Sequence, residues 1–196
     1  MIVEVADAAA RVVRGEVIAY PTETVYGLGA DANSTRALAA LRELKGRDAD
    51  RGLSVLVSDV SVLDSKRVQL PESARRLIER YWPGPLTLVL PVPEGLWDEV
   101  ATELGVGFRC SADATAKDLA SSCATQLVST SANRSGEPPC TTASQVEEIF
   151  GPDFPIAGGG PAGSAPPSTV VAVSPSGELT CLREGEIPLA ELERWL

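Results

Sequence analysis

Apolar runs of strand length alternate along this chain with stretches of helical period, and the alternation keeps no regular spacing. Val17-Ile18-Ala19-Tyr20, Leu53-Ser54-Val55-Leu56-Val57 and residues 86–90 read as buried strands, as do runs near 106–110, 126–129, 169–173 and 179–182. Helical stretches fall between them. Asp7 is placed to cap an alanine-rich helix through Arg14 that Gly15 ends. Asn33 or Ser34 can cap a second, with Leu38, Leu41 and Leu44 near one turn apart, ending at Lys45-Gly46-Arg47. Pro71 suits the first turn of a third through Tyr81, with Leu77 and Ile78 inward, and Trp82-Pro83-Gly84-Pro85 must break it. Further helices are expected at 114–122, at 144–150 with Ser144 and Glu147 as a capping box, and at 189–196 opened by Pro188. A Rossmann fold or a barrel would need a regular period. The irregular order predicts instead one α/β domain over residues 1–196, a twisted sheet of mixed parallel and antiparallel strands with helices packed on it.

Charge and composition narrow the functions open to such a domain. The net charge of −10 opposes wrapping a polyanion, so the few clustered cations become informative. There is no histidine, which removes histidine triads, histidine bases and histidine metal ligands. Cys110, Cys123, Cys140 and Cys181 are scattered without a C-x-x-C pair, so neither a zinc site nor a compact disulfide framework is expected. No apolar run approaches the roughly 20 residues of a membrane helix. The first residues lack a basic start and a long apolar stretch, which places the chain, as an expectation, in the cytoplasm.

Two segments are crowded with hydroxyls and end in glycine: Pro21-Thr22-Glu23-Thr24-Val25-Tyr26-Gly27-Leu28-Gly29 and Ser129-Thr130-Ser131-Ala132-Asn133-Arg134-Ser135-Gly136. Such runs serve turns and caps, or aim hydroxyls at a small ligand. With no histidine to activate a serine, they read as hydrogen-bonding groups rather than nucleophiles. Lys45, Arg47 and the nearby Arg51 either complement a helix C-terminus or hold an anion. Neither a Walker loop nor a G-x-G-x-x-G turn is present, so a nucleotide would be held mainly by side-chain cations. Arg109 lies inside the apolar run Val106-Gly107-Phe108-Arg109-Cys110 and needs an internal carboxylate or an anionic ligand; Arg183 poses the same question. Residues 158–167 are too rich in glycine and proline for an element and read as a surface loop or a closing lid.

Taken in order, the first hydroxyl segment, Lys45-x-Arg47, Trp82-Pro83-Gly84-Pro85-Leu86-Thr87, Val106-x-x-Arg109, Ser129-x-Ser131-Ala132-Asn133-x-Ser135-Gly136, Pro167-Ser168-Thr169-Val170 and Leu182-Arg183-x-Gly185 resemble the signature series of the YrdC-like threonylcarbamoyl-adenylate synthases, in their short single-domain form. The resemblance implies a YrdC-like fold and a nucleotidyl transfer in which L-threonine, bicarbonate and ATP give threonylcarbamoyl-adenylate and pyrophosphate. It implies that Lys45, Arg47, Ser131 and Asn133 surround ATP and the intermediate, joined in ATP binding by Arg51 and Arg183. Thr22, Arg109, Ser129 and Ser168 fall to the threonine. Mg²⁺ would be held mainly by the phosphates, with no dedicated protein metal site. The product would pass to a tRNA-modifying protein complex, with at most a weak contact between this chain and RNA. On this reading the two hydroxyl segments form opposite walls of one cleft. Two departures stand out: Ser111-Ala112-Asp113 where the family often shows proline and His-Pro, and Asp48 where proline is common. Two other readings compete. An RNA-binding or ribosome-assembly module is opposed by the charge and by the lack of aromatic–basic interleaving. A carbamoyl-transfer domain is opposed by the missing zinc-finger-like cysteines.

Overall fold

The computed structural model describes residues 1–46, 53–163 and 165–195; Arg47, Asp48 and Arg51, singled out above, lie outside the described residues. In chain order the elements are β1 (Ile2–Val3), α1 (Val5–Val13), β2 (Ile18–Tyr20), β3 (Gly27–Asp31), α2 (Thr35–Lys45), β4 (Ser54–Leu56), α3 (Ser61–Ser65), α4 (Glu72–Tyr81), β5 (Leu86–Leu90), β6 (Val106–Arg109), α5 (Ala114–Ser122), β7 (Leu127–Ser131), α6 (Ala143–Phe150), β8 (Ile156–Ala157), β9 (Thr169–Val173), β10 (Leu179–Arg183) and α7 (Leu189–Leu192), which runs into a 3₁₀ turn, Glu193–Trp195. The strands form one mixed sheet in the order β1-β8-β2-β3-β7-β4-β6-β5-β9-β10. The pairs β1–β8, β8–β2, β4–β6 and β5–β9 are parallel and the others antiparallel, as the irregular alternation predicts.

Several local expectations are corrected. α1 begins at Val5 behind Glu4, and Asp7 sits inside its first turn, ion-paired at 2.9 Å with Arg11 one turn on. A carboxylate there meets the positive end of the helix and a basic neighbour, both favourable, without capping. Ser34, not Asn33, caps α2 by accepting from the Ala37 N–H. The capping box of α6 is Thr142 with Gln145, two residues ahead of the Ser144–Glu147 pair, which has the same spacing. Starting there puts Val146 on the buried face. Pro71 and Pro188 occupy N-cap positions with extended ψ rather than the first helical position. The strands β1, β3 and β8 and the helix α3 carry no sequence signal. β3 reads Gly-Leu-Gly-Ala-Asp, poor in strand formers, and is extended because it is paired on both sides, to β2 and β7.

Strand pairing sorts side chains by face with period two. Ala30, Val128, Val55, Phe108, Leu88 and Val171 are register partners across six adjacent strands, from β3 to β9. All are fully buried, packed with Leu38 and Leu41 of α2, Leu77 and Ile78 of α4 and Val146 of α6. Each large side chain in that row contributes about 1.5–3 kcal/mol by leaving water. The two rows that flank it, both turned to the opposite face, carry Gly29, Ser129, Ser54, Gly107, Val89 and Ala172 on one side and Leu127, Leu56, Arg109, Thr87, Val170 and Arg183 on the other. This second face is small and polar over most of its width. Helices α1 and α5 cover only one end of it, through Ala8, Ala9, Val12, Ala116 and Leu119 against Ile18, Tyr20, Leu56 and Leu127. The rest of the face is the floor of a cleft. No helix among the described residues is long and apolar enough to cross a membrane.

The glycines of β3 keep Tyr20 in place. A Cβ on Gly27 would lie 2.8 Å from the Tyr20 ring, and one on Gly29 would lie 3.0 Å from it. That ring lets the buried Tyr20 hydroxyl donate to Ser129 Oγ at 2.5 Å. Gly27→Ala is therefore expected to cost about 1–3 kcal/mol through overpacking. Urea unfolding measures it, and an unchanged midpoint would contradict this packing argument.

Candidate functional site

The cleft has a volume of about 960 Å³, and every described residue singled out by sequence lines it: Thr22, Lys45, Arg109, Ser129, Ser131, Asn133, Ser168 and Arg183. The two hydroxyl segments are not opposite walls. Gly27 of β3 pairs with Ser131 of β7, and the Ala132 N–H donates to the Tyr26 carbonyl at 2.8 Å. The segments thus leave adjacent strands side by side, because antiparallel register brings the start of one against the end of the other.

Lys45 closes α2, where Gly46 takes a left-handed φ of 90° that lets the chain turn away. The lysine side chain passes into the floor and is only 6% exposed. Its Nζ donates to Asn133 Oδ1 at 2.7 Å, to the Ser131 carbonyl at 2.8 Å and, at 3.4 Å, to Ser131 Oγ. Ser131 Oγ donates to the same Oδ1 at 2.6 Å. The Asn133 amide is oriented by donating to the Glu137 and Arg134 carbonyls. No carboxylate pairs with Lys45 among the described residues. Burial pushes its ammonium down to about 8, against a smaller opposing effect of Cys140.

At the other end of the floor, Arg109 is 9% exposed and meets the internal carboxylate that its apolar strand called for. Its Nη2 donates to Glu23 Oε1 at 2.9 Å and to Thr24 Oγ1 at 3.0 Å. Ser111, part of the departure from the family pattern, donates its hydroxyl to the other Glu23 oxygen. Burial alone would raise the Glu23 carboxyl; the charge of Arg109 and the hydrogen bonds from Arg109 and Ser111 outweigh it and hold the group below its ordinary value. The Thr22 hydroxyl is spent inside its own turn: it donates to the Val25 carbonyl at 2.6 Å and accepts from the Thr24 and Val25 N–H groups. Thr24, not Thr22, carries the hydroxyl that reaches Arg109.

Arg183 shares the sheet row of Arg109 and Thr87. Its Nη2 and Nε donate to the Ser168 carbonyl at 2.8 and 3.2 Å, and Nη2 also reaches Ser168 Oγ at 3.2 Å. Ser168 Oγ in turn pairs with Thr87 Oγ1 at 3.0 Å. Arg183 has no ion pair among the described residues. Burial and then the charge of Arg109 lower its pKa. The described lining therefore carries three cations, several hydroxyls and no carboxylate. In a chain of net charge −10, that is a local cationic basin suited to a small, multiply charged anion. The 158–163 stretch straps the rim: Gly163 N–H donates to the Thr22 carbonyl at 2.9 Å, Ala162 N–H to the Thr141 carbonyl, and the Tyr26 hydroxyl to the Gly160 carbonyl. Glu23, Thr87 and Ser54 escaped the sequence reading. Thr87, the one polar residue in Leu-Thr-Leu-Val-Leu, was the signal available.

A family profile named for Sua5, YciO and YrdC, and described as telomere recombination, matches residues 11–185. The threonylcarbamoyl-AMP synthase of Bacillus subtilis is 38% identical over 193 residues, covering 97% of this chain and 56% of that protein. The threonylcarbamoyl-AMP synthase of Thiobacillus denitrificans is 39% identical over 159 residues, covering 81% of this chain and 85% of its own. The crystal structure of Pyrococcus abyssi Sua5 complexed with L-threonine is 34% identical, with a TM-score of 0.89 over 100% of this chain and 61% of that one. The chain spans just over half the length of the Bacillus relative.

Proposed function

The chain belongs to the Sua5/YciO/YrdC family, and we propose on that premise that its cleft makes L-threonylcarbamoyladenylate and pyrophosphate from L-threonine, bicarbonate and ATP. The observation that carries the reading is the single cleft in which Lys45, Arg109 and Arg183 stand among hydroxyls with no lining carboxylate among the described residues. ATP and threonine carbamate bring a polyphosphate and two carboxylate-type anions together, and only a cationic basin holds such a set against its own repulsion. In the reaction, a carbamate oxygen forms a bond to the α-phosphorus while the bond to the bridging oxygen breaks and pyrophosphate leaves. Positioning and charge neutralisation supply most of the acceleration in such a transfer.

Lys45, steadied by Ser131 and Asn133, neutralises the phosphates, with Arg47 and Arg51 as the further cations that the family pattern supplies. Arg183 serves the phosphate chain. Arg109 receives the threonine carboxylate, and Ser168 and Ser129 contact the rest of the amino acid. Mg²⁺ enters with the triphosphate as part of the substrate; the described lining offers it hydroxyl and carbonyl oxygens but no carboxylate. Residues 1–196 act as one domain, a nucleotidyltransferase working in the cytoplasm, whose product is consumed by a separate tRNA-modifying complex.

Pyrophosphate release from ATP tests the reading. It should require both threonine and bicarbonate, and release indifferent to threonine would overturn it. The same assay carries a pH prediction. Lys45 must be cationic to hold phosphates, so kcat/KM for ATP should fall as pH rises through about 8. Bound ATP favours the ammonium, so the corresponding limb in kcat should lie at higher pH. A flat kcat/KM between about pH 7 and 9 would contradict this role for Lys45.

A further inference from the structure

We infer that Tyr20 is a positioning residue for the carbamate: by donating to Ser129 it leaves the Ser129 hydroxyl its own hydrogen to offer the cleft, and a carbamate oxygen takes it. The inference deepens the assignment of Ser129 to the amino-acid substrate and rests on the proposed function for the identity of the reacting group.

Tyr20 ends β2 fully buried, and among the described residues its hydroxyl has one acceptor, Ser129 Oγ at 2.5 Å. A buried hydroxyl left without an acceptor costs stability, so this hydrogen is committed. Gly27 makes room for the arrangement, since a Cβ there would lie 3.0 Å from the Tyr20 oxygen. Burial pushes the phenol up to about 12, which keeps it a donor at neutral pH. Ser129 Oγ is therefore the accepting partner, and its own hydrogen finds no acceptor among the described residues. Ser129 lines the cleft and is 8% exposed, so that hydrogen is open to a ligand. An ordinary serine hydroxyl gives or accepts as its surroundings ask; this one gives.

Strand register decides which part of the substrates it meets. Leu127, Ser129 and Ser131 share one face of β7. Leu127 lies in a row with Leu56 and Arg109, and Ser131 is held by Lys45. Ser129 thus stands one step from the Arg109 row toward Lys45, between the residues assigned to the threonine carboxylate and to the phosphates. The group that joins those two in the reaction is the carbamate, whose oxygens share a negative charge and can only accept. A fixed donor suits such a group. The threonine hydroxyl can turn to give or accept, and gains nothing from a partner of fixed polarity. Accepting from Tyr20 also polarises the Ser129 O–H and strengthens the bond it donates.

The test is Tyr20→Phe, which keeps the ring and its packing while removing the hydroxyl, made alone and together with Ser129→Ala. kcat/KM for bicarbonate is measured by pyrophosphate release in buffer depleted of carbon dioxide, and threonine and ATP binding by calorimetry without bicarbonate. Tyr20→Phe should lower kcat/KM for bicarbonate about three- to tenfold, and Ser129→Ala, which removes the donor itself, about ten- to a hundredfold. In Tyr20→Phe the dissociation constants of threonine and ATP should stay within about twofold of wild type. In the Ser129→Ala background Tyr20→Phe should change kcat/KM by less than about twofold, because the route through Ser129 is already gone. Threonine binding weakened by Tyr20→Phe as much as kcat/KM would mean that Tyr20 serves threonine itself rather than its carbamate. A full Tyr20 effect in the absence of the Ser129 hydroxyl would mean that it acts through packing, and an unchanged kcat/KM in Tyr20→Phe would mean that it positions nothing. Each of these overturns the inference. Wild-type pyrophosphate release indifferent to bicarbonate would instead strike the proposed function.

Discussion

Replacing Lys45 with methionine should lower threonine-dependent pyrophosphate release by about 10²–10³-fold or more, the usual cost of deleting one preorganised charge from a phosphoryl-type transition state. The same change should leave the fold standing. Lys45 is buried without a carboxylate among the described residues, and burial already disfavours its charged form. An apolar chain of similar volume removes that cost. Asn133 Oδ1 keeps the Ser131 hydroxyl as a donor, and the Ser131 carbonyl keeps the Asn133 N–H at 3.1 Å. The sign of the pH effect follows. The folded pKa of about 8 lies below the ordinary 10.5, so between those values the unfolded chain binds more protons than the folded one. Wild-type stability contributed by this group must then rise with pH across that window, and the cost is complete below it. The methionine variant should lack that slope. A variant that unfolds would show that Lys45 is structural, and one that stays active would show that the reaction does not need its charge.

Arg109→Ala should act on both stability and substrate. It strips a partly buried carboxylate of its cation: the two side chains are 11% and 20% exposed. Breaking a buried pair from one side costs about 3–5 kcal/mol. Glu23 keeps the Ser111 hydroxyl and some solvent, which favours the lower end, about 3 kcal/mol, or a melting point lower by about 6–12 °C in a chain of this size. Since the folded Glu23 pKa is depressed, the stabilisation from the pair is present above the ordinary carboxylate range and lost as pH falls through the folded value. The gap between wild type and variant should close on acidification. Adding Glu23→Ala to Arg109→Ala should return part of the stability at neutral pH, because no lone carboxylate is then left buried, while threonine binding stays lost. A double variant less stable than the single would refute this pairing.

The chemistry of the cleft was legible where a residue contradicted its surroundings. Arg109 in an apolar strand and a lysine beside glycine at a helix end both signalled charge held for a purpose, and both point into the cleft. The sheet was legible wherever apolar runs were long enough to bury both faces or alternate clearly. It was not legible at β3, whose strand character comes from neighbours on either side and whose glycines answer to a ring contributed by Tyr20. Partnerships across the chain were also hidden. Glu23 and Arg109 are 86 residues apart, and nothing local says which carboxylate a buried arginine will find. Hydroxyls were the hardest to assign. Thr22 and Thr24 look equivalent in sequence, yet the turn consumes one and aims the other at Arg109. The relative placement of the two hydroxyl segments depended on strand register, which a one-residue slip would have changed.

The central claim, that one cleft joins threonine, bicarbonate and ATP, is tested most directly by following carbon from labelled bicarbonate. Incubated with ATP, Mg²⁺ and L-threonine, the protein should place that label in a product that also contains threonine and AMP, formed in step with pyrophosphate. Label absent from any adenylate, or an adenylate formed without threonine, would contradict the account.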